Sequence, residues 1–444
     1  MIDGLKFSKK HTKDTFPKSN FIFSTVEKGY FGISFLPTKQ GAIKMNKINL
    51  DKINGINKEE IINPQRYTTT RKMTKEVLEN ALSDALIKID KLWEDVHGNF
   101  PSEASKNNIY EEMENVYGWN EGFFTGMLWL AYEATGDEKY KERALSQIPS
   151  YEVRIDNHLG TNTHDMGFIY VPSCVAAYKL AGDKQGKRAA IKAADHLLTR
   201  YIEAGNFIQA WGNVGSQLRL IIDCMNNIPL LFWAAEETGD NNYYEKAYNH
   251  AVTTINNIVR DDASTHHTFF FNTDGSPQYG RTCQGAGDDS CWARGQAWIV
   301  SGLPYSYRYT KEKAMLELFE KVANYYINRL PEDFVPYWDL SFTDGSGEEK
   351  DSSSASIAVC GLLEMIPSIE DSALKEIYKG VVDKMMYSLY TNYSTKNTPD
   401  SNGLLLHAVY SKPSCAGVDE CNIWGCYYYM EALVRMLKST KAYW

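Results

Sequence analysis

The stretch Ala131–Ala144, AYEATGDEKYKERA, reads as one helix ending at Gly136 and a second opening at Asp137. The same form returns as AYKLAGDKQGKRAA over Ala177–Ala190 and as AAEETGDNNYYEKA over Ala234–Ala247. Glycine has no Cβ to clash in the left-handed conformation that closes a helix, so Gly136, Gly182 and Gly239 suit the C-terminal cap. The following Asp137, Asp183 and Asp240 can each accept hydrogen bonds from the unpaired amides of the next helix. Spacings of 46 and 57 residues between these glycines make each unit two helices of ordinary length and a loop. A related turn begins near Tyr307 in YRYTKEKAMLELFEKVA, and helical apolar spacing continues through LLEMI and YYYMEALVRML toward the end of the chain.

Repeated hairpins stack into an open solenoid or close into a ring. The last helix, IWGCYYYMEALVRMLK, lacks the polar outer face that an open end needs, which favours closure onto the first helices. The predicted fold is all-α, an (α/α)6 barrel of about six hairpins over residues 71–444 with a short irregular N-terminal extension over residues 1–70. The extension is rich in Lys, Asn and Ile, holds only short β-like runs such as FIFSTV and GYFGISFL, and discloses no role.

A chain of 444 residues with 43% hydrophobic content can bury a sizeable core. Its net charge of −9 is uneven, since Met1 to Lys72 carries 14 Lys and Arg against 6 Asp and Glu. The acidic remainder repels polyanions, which argues against nucleic acid as a partner, and a small or oligomer-end substrate fits better. Aromatic content of 13%, including 29 Tyr and 10 Trp, supplies flat faces on which sugar rings stack as well as core filling. The eight cysteines form no CxxC pair and read mostly as free thiols. No signal-like apolar segment or eighteen-residue apolar run is present, so a cytoplasmic protein without a membrane span is expected.

Two aspartates in apolar helical surroundings, Asp165 in THDMGF and Asp223 in IIDCMNN, are the candidates for chemistry. A carboxyl beside Ile, Met and Phe loses hydration unless it is paired or used, so such placements mark shifted proton affinities, although a single buried Asp is more often a cap or a hydrogen-bonded core group. Further polar and aromatic clusters fall at expected hairpin ends: YGWNEGFFTGMLW around Trp119, QAWGNVGSQLRLIIDCMNN from Trp211 to Asp223, and CQGAGDDSCWARGQAW from Cys283 to Trp298. In a ring these loops converge on one central cleft.

These segments, in this order, with DSSSASIA following much later, resemble the unsaturated glucuronyl hydrolases of glycoside hydrolase family 88, from about Lys75 to the C-terminus. The resemblance implies an (α/α)6 barrel that removes the terminal 4,5-unsaturated uronic acid from lyase-generated, glycosaminoglycan-type oligosaccharides. It implies hydration of the C4=C5 double bond, with Asp223 as proton donor and base and Asp165 as its partner. It also implies substrate contacts at Trp119, Trp211, His267, Gln284, Arg294 and Trp298. The fork of Arg294 matches a carboxylate, with a structural ion pair to Asp288 or Asp289 as the alternative. Where relatives tune acceptance of sulfated partners, this chain carries Ser411, Lys412 and Ser414. It departs at Phe124, where a Trp is expected, so the subsite there keeps an apolar wall but loses an indole donor.

Rival signals fail on spacing. No HExxH is present, His266 and His267 point apart on a regular element, GAGDD lacks the GK of a phosphate loop, and DGSGEEKDSSS lacks the calcium ligand ladder. Neither a metal nor an organic cofactor is expected. Two other functions remain open: an unsaturated rhamnogalacturonyl hydrolase on the same barrel, and a non-catalytic helical-repeat protein that binds other proteins through its concave face.

Overall fold

The computed structural model describes residues 45–113 and 117–444. All three Gly–Asp turns form as the repeat implies. Gly136, Gly182 and Gly239 take φ of 71°, 65° and 75°, and the side chains of Asp137, Asp183 and Asp240 accept from the amides of Lys139, Gly186 and Asn242. In the fourth turn Lys311 takes the left-handed position instead, with φ 57°.

A short helix, α1 (Leu50–Gly55), precedes the barrel. The outer layer consists of α2 (Lys75–Asp95), α4 (Glu138–Asp156), α7 (Lys184–Leu198), α9 (Asn241–Ile258), α11 (Lys313–Asn328) and α13 (Ser372–Ser388). The inner layer consists of α3 (Glu121–Thr135), the pair α5 (Met166–Tyr170) and α6 (Ala176–Ala181) joined by a π turn, α8 (Pro229–Thr238), α10 (Ala293–Thr310), α12 (Ser352–Met365) and α14 (Ile423–Lys438). Inner and outer helices alternate along the chain, and α14 packs on α12, α3 and α2, so the ring closes as an (α/α)6 barrel. Burial separates the layers. Nearly every side chain of α14 from Ile423 to Arg435 is buried, whereas α7 buries only one stripe that includes Ala189, Ala190, Ala193, Ala194 and Leu197.

Short antiparallel ladders decorate the connections: β1 (Phe100–Pro101) with β2 (Glu112–Met113), β3 (Tyr201–Ile202) with β4 (Phe207–Ile208), and β8 (Ala408–Ser411) with β9 (Ala416–Glu420). A three-stranded sheet joins β5 (Arg219–Ile221), β6 (Thr268–Phe271) and β7 (Pro277–Arg281), pairing Ile221 with Thr268 and Thr268 with Arg281.

Residues 45–70 pack on this body. Ile53, Ile56 and Tyr67 are buried, Lys321 donates to the carbonyls of Ile53 (2.6 Å) and Ile56 (2.8 Å), and Glu59 pairs with Arg329 at 3.0 Å. Residues from 45 onward thus belong to one compact unit. The runs FIFSTV and GYFGISFL lie outside the described residues. Among the described residues no helix is long and apolar enough to cross a membrane.

Candidate active site

The inner helices present their N-terminal ends to one rim. Trp119 precedes α3, Asp165 caps α5, Asp223 lies in a 3-10 turn ahead of α8, Trp292 caps α10, Asp351 caps α12, and Trp424 opens α14. Positive helix ends gathered on one side favour an anionic ligand there, despite the acidity of the chain as a whole. Trp119, Asp165, Trp211, Ile221, Asp223, Gln284, Trp292, Arg294, Trp298 and Tyr410 line a cleft at this rim of about 410 Å³, counting its open mouth.

His164 joins the two acids. Its Nε2 lies 3.3 Å from Asp165 and 3.2 Å from Asp223, and the Trp211 amide points at its Nδ1 from 3.5 Å, which leaves the Nε2 proton facing the carboxyls. Burial pushes the Asp165 carboxyl up, against the pull of His164 and with the help of Asp223, to about 6. Burial opposes charge on His164 as well, but Asp165 and Asp223 outweigh it and hold its proton affinity above the ordinary histidine range. Asp165 is also anchored by Thr163, whose hydroxyl donates at 2.5 Å. Asp223 is the more open of the two, with 15% of its side chain exposed against 8% for Asp165.

This closeness depends on one glycine. A Cβ on Gly167 would stand 2.3 Å from the backbone of Asn227, so THDMGF can press the start of α5 against the Asp223 turn only with Gly at that position. Asn227 cements the contact by accepting from the Phe168 amide at 2.9 Å.

The cleft walls are aromatic. The Trp119 indole donates to the Tyr410 hydroxyl at 3.2 Å and packs 4.8 Å from Trp424, while Trp298 is buried against Phe168 at 5.0 Å. Trp211 holds φ 49°, a conformation costing a non-glycine residue about 1–2 kcal/mol. Buried Arg200 maintains it by donating to the carbonyls of Trp211 (3.0 Å) and Gly212 (2.8 Å).

Asp223 also stands near Cys224 and His164, three potential metal ligands within 4.8 Å of one another. Burial, then Asp223 and Asp165, push the Cys224 thiol far up, so it stays protonated and the cluster suits proton chemistry better than a metal.

A family model, Glycosyl Hydrolase Family 88, matches residues 92–440. The chain belongs to glycosyl hydrolase family 88. This family member is 48% identical over 403 residues to an unsaturated chondroitin disaccharide hydrolase of Streptococcus agalactiae serotype III (strain NEM316), covering 88% of this chain and 100% of the relative. It is 35% identical over 371 residues to an unsaturated glucuronyl hydrolase of Bacillus sp. (strain GL1), covering 82% and 98%. A crystal structure of unsaturated glucuronyl hydrolase from Streptococcus agalactiae matches with a TM-score of 0.86 at 47% identity, over 88% of this chain and 99% of that one. A variant of that enzyme complexed with dGlcA-GalNAc6S matches with a TM-score of 0.80 at 45% identity, over 88% and 99%. The family 88 chain is a glycosidase that removes an unsaturated uronic acid from a carbohydrate substrate.

The cleft of this family 88 barrel brings together Asp165, Asp223, Trp119, Trp211, Gln284, Arg294 and Trp298. His267 lies behind Trp292 and Trp211, with ring centroids at 4.3 and 5.9 Å. Its Nδ1 accepts from the Cys283 amide at 3.0 Å, and its Nε2 is buried with no partner among the described residues. Burial, then Arg294 and Arg219, bring its proton affinity down to about 3, so the ring is neutral. Ser411 and exposed Ser414 are not among the cleft-lining residues; their hydroxyls meet at 2.5 Å in the neighbouring β8–β9 turn, and Lys412 pairs with Glu349.

One expectation is corrected and one alternative is set aside. Phe124 faces α2, stacked 6.3 Å from Trp93, and forms no wall of the cleft, because adjacent helical positions point to different faces. Arg294 pairs with neither Asp288 nor Asp289 but with Asp351, at 3.1 Å, and also donates to the carbonyls of Val409 and Tyr410. Asp288 is turned instead toward the Thr282 amide, at 2.8 Å, and Arg281, at 3.4 Å. The Nε of Arg294 makes no hydrogen bond among the described residues. Sequence reasoning passed over His164 and Trp292, although each sits within a quoted motif, and Tyr410, which directly precedes Ser411.

Proposed function

We propose that the chain hydrolyses unsaturated chondroitin-type disaccharides, with Asp223 as proton donor and base and Asp165 as the acid that keeps a proton on the pair. The observation that carries this reading is the contact of both carboxyls with one imidazole nitrogen inside an aromatic cleft. Crowded acids in a dry site do not both ionise, and the retained proton belongs to the trio as a unit. In the reaction a proton goes to C4 of the uronide and water, losing its proton to the carboxylate, adds its hydroxyl at C5. The resulting C5 hemiketal opens to the ketone, and the chain at C1 leaves as an alcohol, giving 4-deoxy-5-ketouronic acid.

Trp119, Trp211 and Trp298 provide stacking faces, Gln284 a polar contact, and the Nε of Arg294 a donor for the uronate, whereas buried His267 backs Trp292 and Trp211 and touches no substrate. Ser411 and Ser414, in the β8–β9 turn that follows cleft-lining Tyr410, would meet the leaving sugar. The eight unpaired cysteines support a reducing compartment such as the cytoplasm, and the acidic body supports a carbohydrate rather than nucleic acid as ligand.

The test is loss of the ultraviolet absorbance of the conjugated acid when purified protein meets a panel of unsaturated chondroitin, heparin and rhamnogalacturonan disaccharides. Chondroitin disaccharide is expected to be consumed fastest. Faster turnover of the rhamnogalacturonan type would shift the substrate, and silence on all three would return the fold to a binding role.

The proton on the trio sets a pH dependence. With Asp165 titrating at about 6, the protonated form dominates below that pH and is lost above it. The value of kcat/KM should therefore fall about tenfold per unit on the alkaline side, and Asp165→Asn should move that limb to lower pH, because no second carboxylate then helps to retain the proton beside Asp223. A wild-type profile flat from about pH 5 to about pH 8 contradicts the assignment.

A further inference from the structure

Arg219 is a cation without an answer. It is half-buried on β5, its Nε is buried with no hydrogen-bond partner, and among the described residues no carboxylate offsets its charge. A buried guanidinium N–H without an acceptor is costly, so its retention beside a cleft calls for a reason.

Its position supplies one. Side chains two apart on a strand share a face, so Arg219 projects to the same side as Ile221, which lines the catalytic cleft about 7 Å further along. The guanidinium lies 4.7 Å over the Trp211 ring and 5.8 Å from Phe270, and Phe270 stacks on exposed Tyr279 at 5.0 Å. Beyond Trp211 the loop from Gly212 to Gln217 is exposed, so this side opens outward. An enzyme that removes a terminal uronate takes that end inward and leaves the rest of the substrate at the mouth.

Resting on the functional reading above, we propose that Arg219 is a specificity residue for an anionic group, a sulfate ester or a carboxylate, on the leaving side of the scissile bond. Trp211 offers the sugar a face and holds the guanidinium by its own ring. Arg219 then presents its unpaired donors to the oxyanion, where a fork matches two oxygens at once. The rival role is purely structural, with Arg219 serving only as a prop for Trp211.

The two roles separate in a ratio. The value of kcat/KM is measured for wild type, Arg219→Met and Arg219→Lys on unsaturated chondroitin disaccharide with and without sulfate, and on the unsulfated tetrasaccharide, which adds a uronate carboxylate. A ratio of kcat/KM values cancels the fraction of enzyme that folds. In Arg219→Met the ratio of anion-bearing to unsulfated disaccharide should drop about 10- to 100-fold, the worth of a charge-assisted contact. Arg219→Lys should recover part of it. Collapse in the sulfate arm alone identifies a sulfate ester, and collapse in the tetrasaccharide arm alone identifies a carboxylate. Ratios equal to wild type in both arms overturn the inference, even if all rates fall together. Wild-type protein inert on every sugar would overturn the functional reading and this inference with it.

Discussion

Asp223→Asn is expected to lower kcat/KM on unsaturated disaccharide by about 10² to 10⁴ while the folded protein persists. The amide copies the shape of the carboxylate but neither delivers a proton to C4 nor takes one from water. Its structural contribution is small: among the described residues the Asp223 carboxylate hydrogen-bonds only to His164, whose Nε2 still has Asp165 at 3.3 Å. Thermal melting should stay close to wild type, and absorbance at the conjugated acid should barely decline. A variant that keeps more than about a tenth of wild-type activity sinks the proton-donor role. A variant that fails to fold returns Asp223 to a structural post.

The contrast between Asp223 and its neighbours shows what one chain can reveal about its site. The Gly–Asp turns were legible because their chemistry is local: a left-handed glycine and a carboxylate two or three residues from the amide it caps need no tertiary information. Asp165 and Asp223 were legible because hydrophobic surroundings make an ionisable group conspicuous. His164 was not, although it adjoins Asp165, because its role arises from a contact across 59 residues. Trp292 and Tyr410 failed for a related reason. Aromatic residues in an aromatic-rich sequence look alike until the fold decides which ones face a cavity, and the Phe124 expectation erred in the opposite direction on the same uncertainty.

Arg294 is the sharpest case, because sequence neighbourhood offered Asp288 or Asp289 as the alternative partner and the barrel supplied Asp351 from 57 residues away. The replacement changes the meaning of DSSSASIA, which resembles a signature of the site but acts beneath it. One Asp351 oxygen caps α12, accepting from Ser353 and Ser354 amides at 3.1 and 3.4 Å and from the Ser353 hydroxyl at 2.6 Å. Its other oxygen holds Arg294. A single buried carboxylate thus fixes both a helix start and the guanidinium that lines the cleft.

Asp351→Ala should consequently be the most destabilising substitution at this rim. It leaves the Arg294 guanidinium, 2% exposed, without its counter-ion, a loss of about 3–5 kcal/mol, with about 1 kcal/mol more for the missing cap. The urea midpoint should fall clearly, and activity should fall with it because Arg294 loses its anchor. Asp351→Asn retains the shape and the cap acceptor, so its loss should be smaller. The decisive variant carries Asp351→Leu together with Arg294→Met: replacing a buried pair by apolar side chains restores much of the stability that breaking it removes, yet it leaves the uronate without its guanidinium. Stability regained with activity still absent would separate the two duties of the pair. Wild-type stability in Asp351→Ala would instead mean that Arg294 finds water or another acceptor, and that the pair does not hold the rim together.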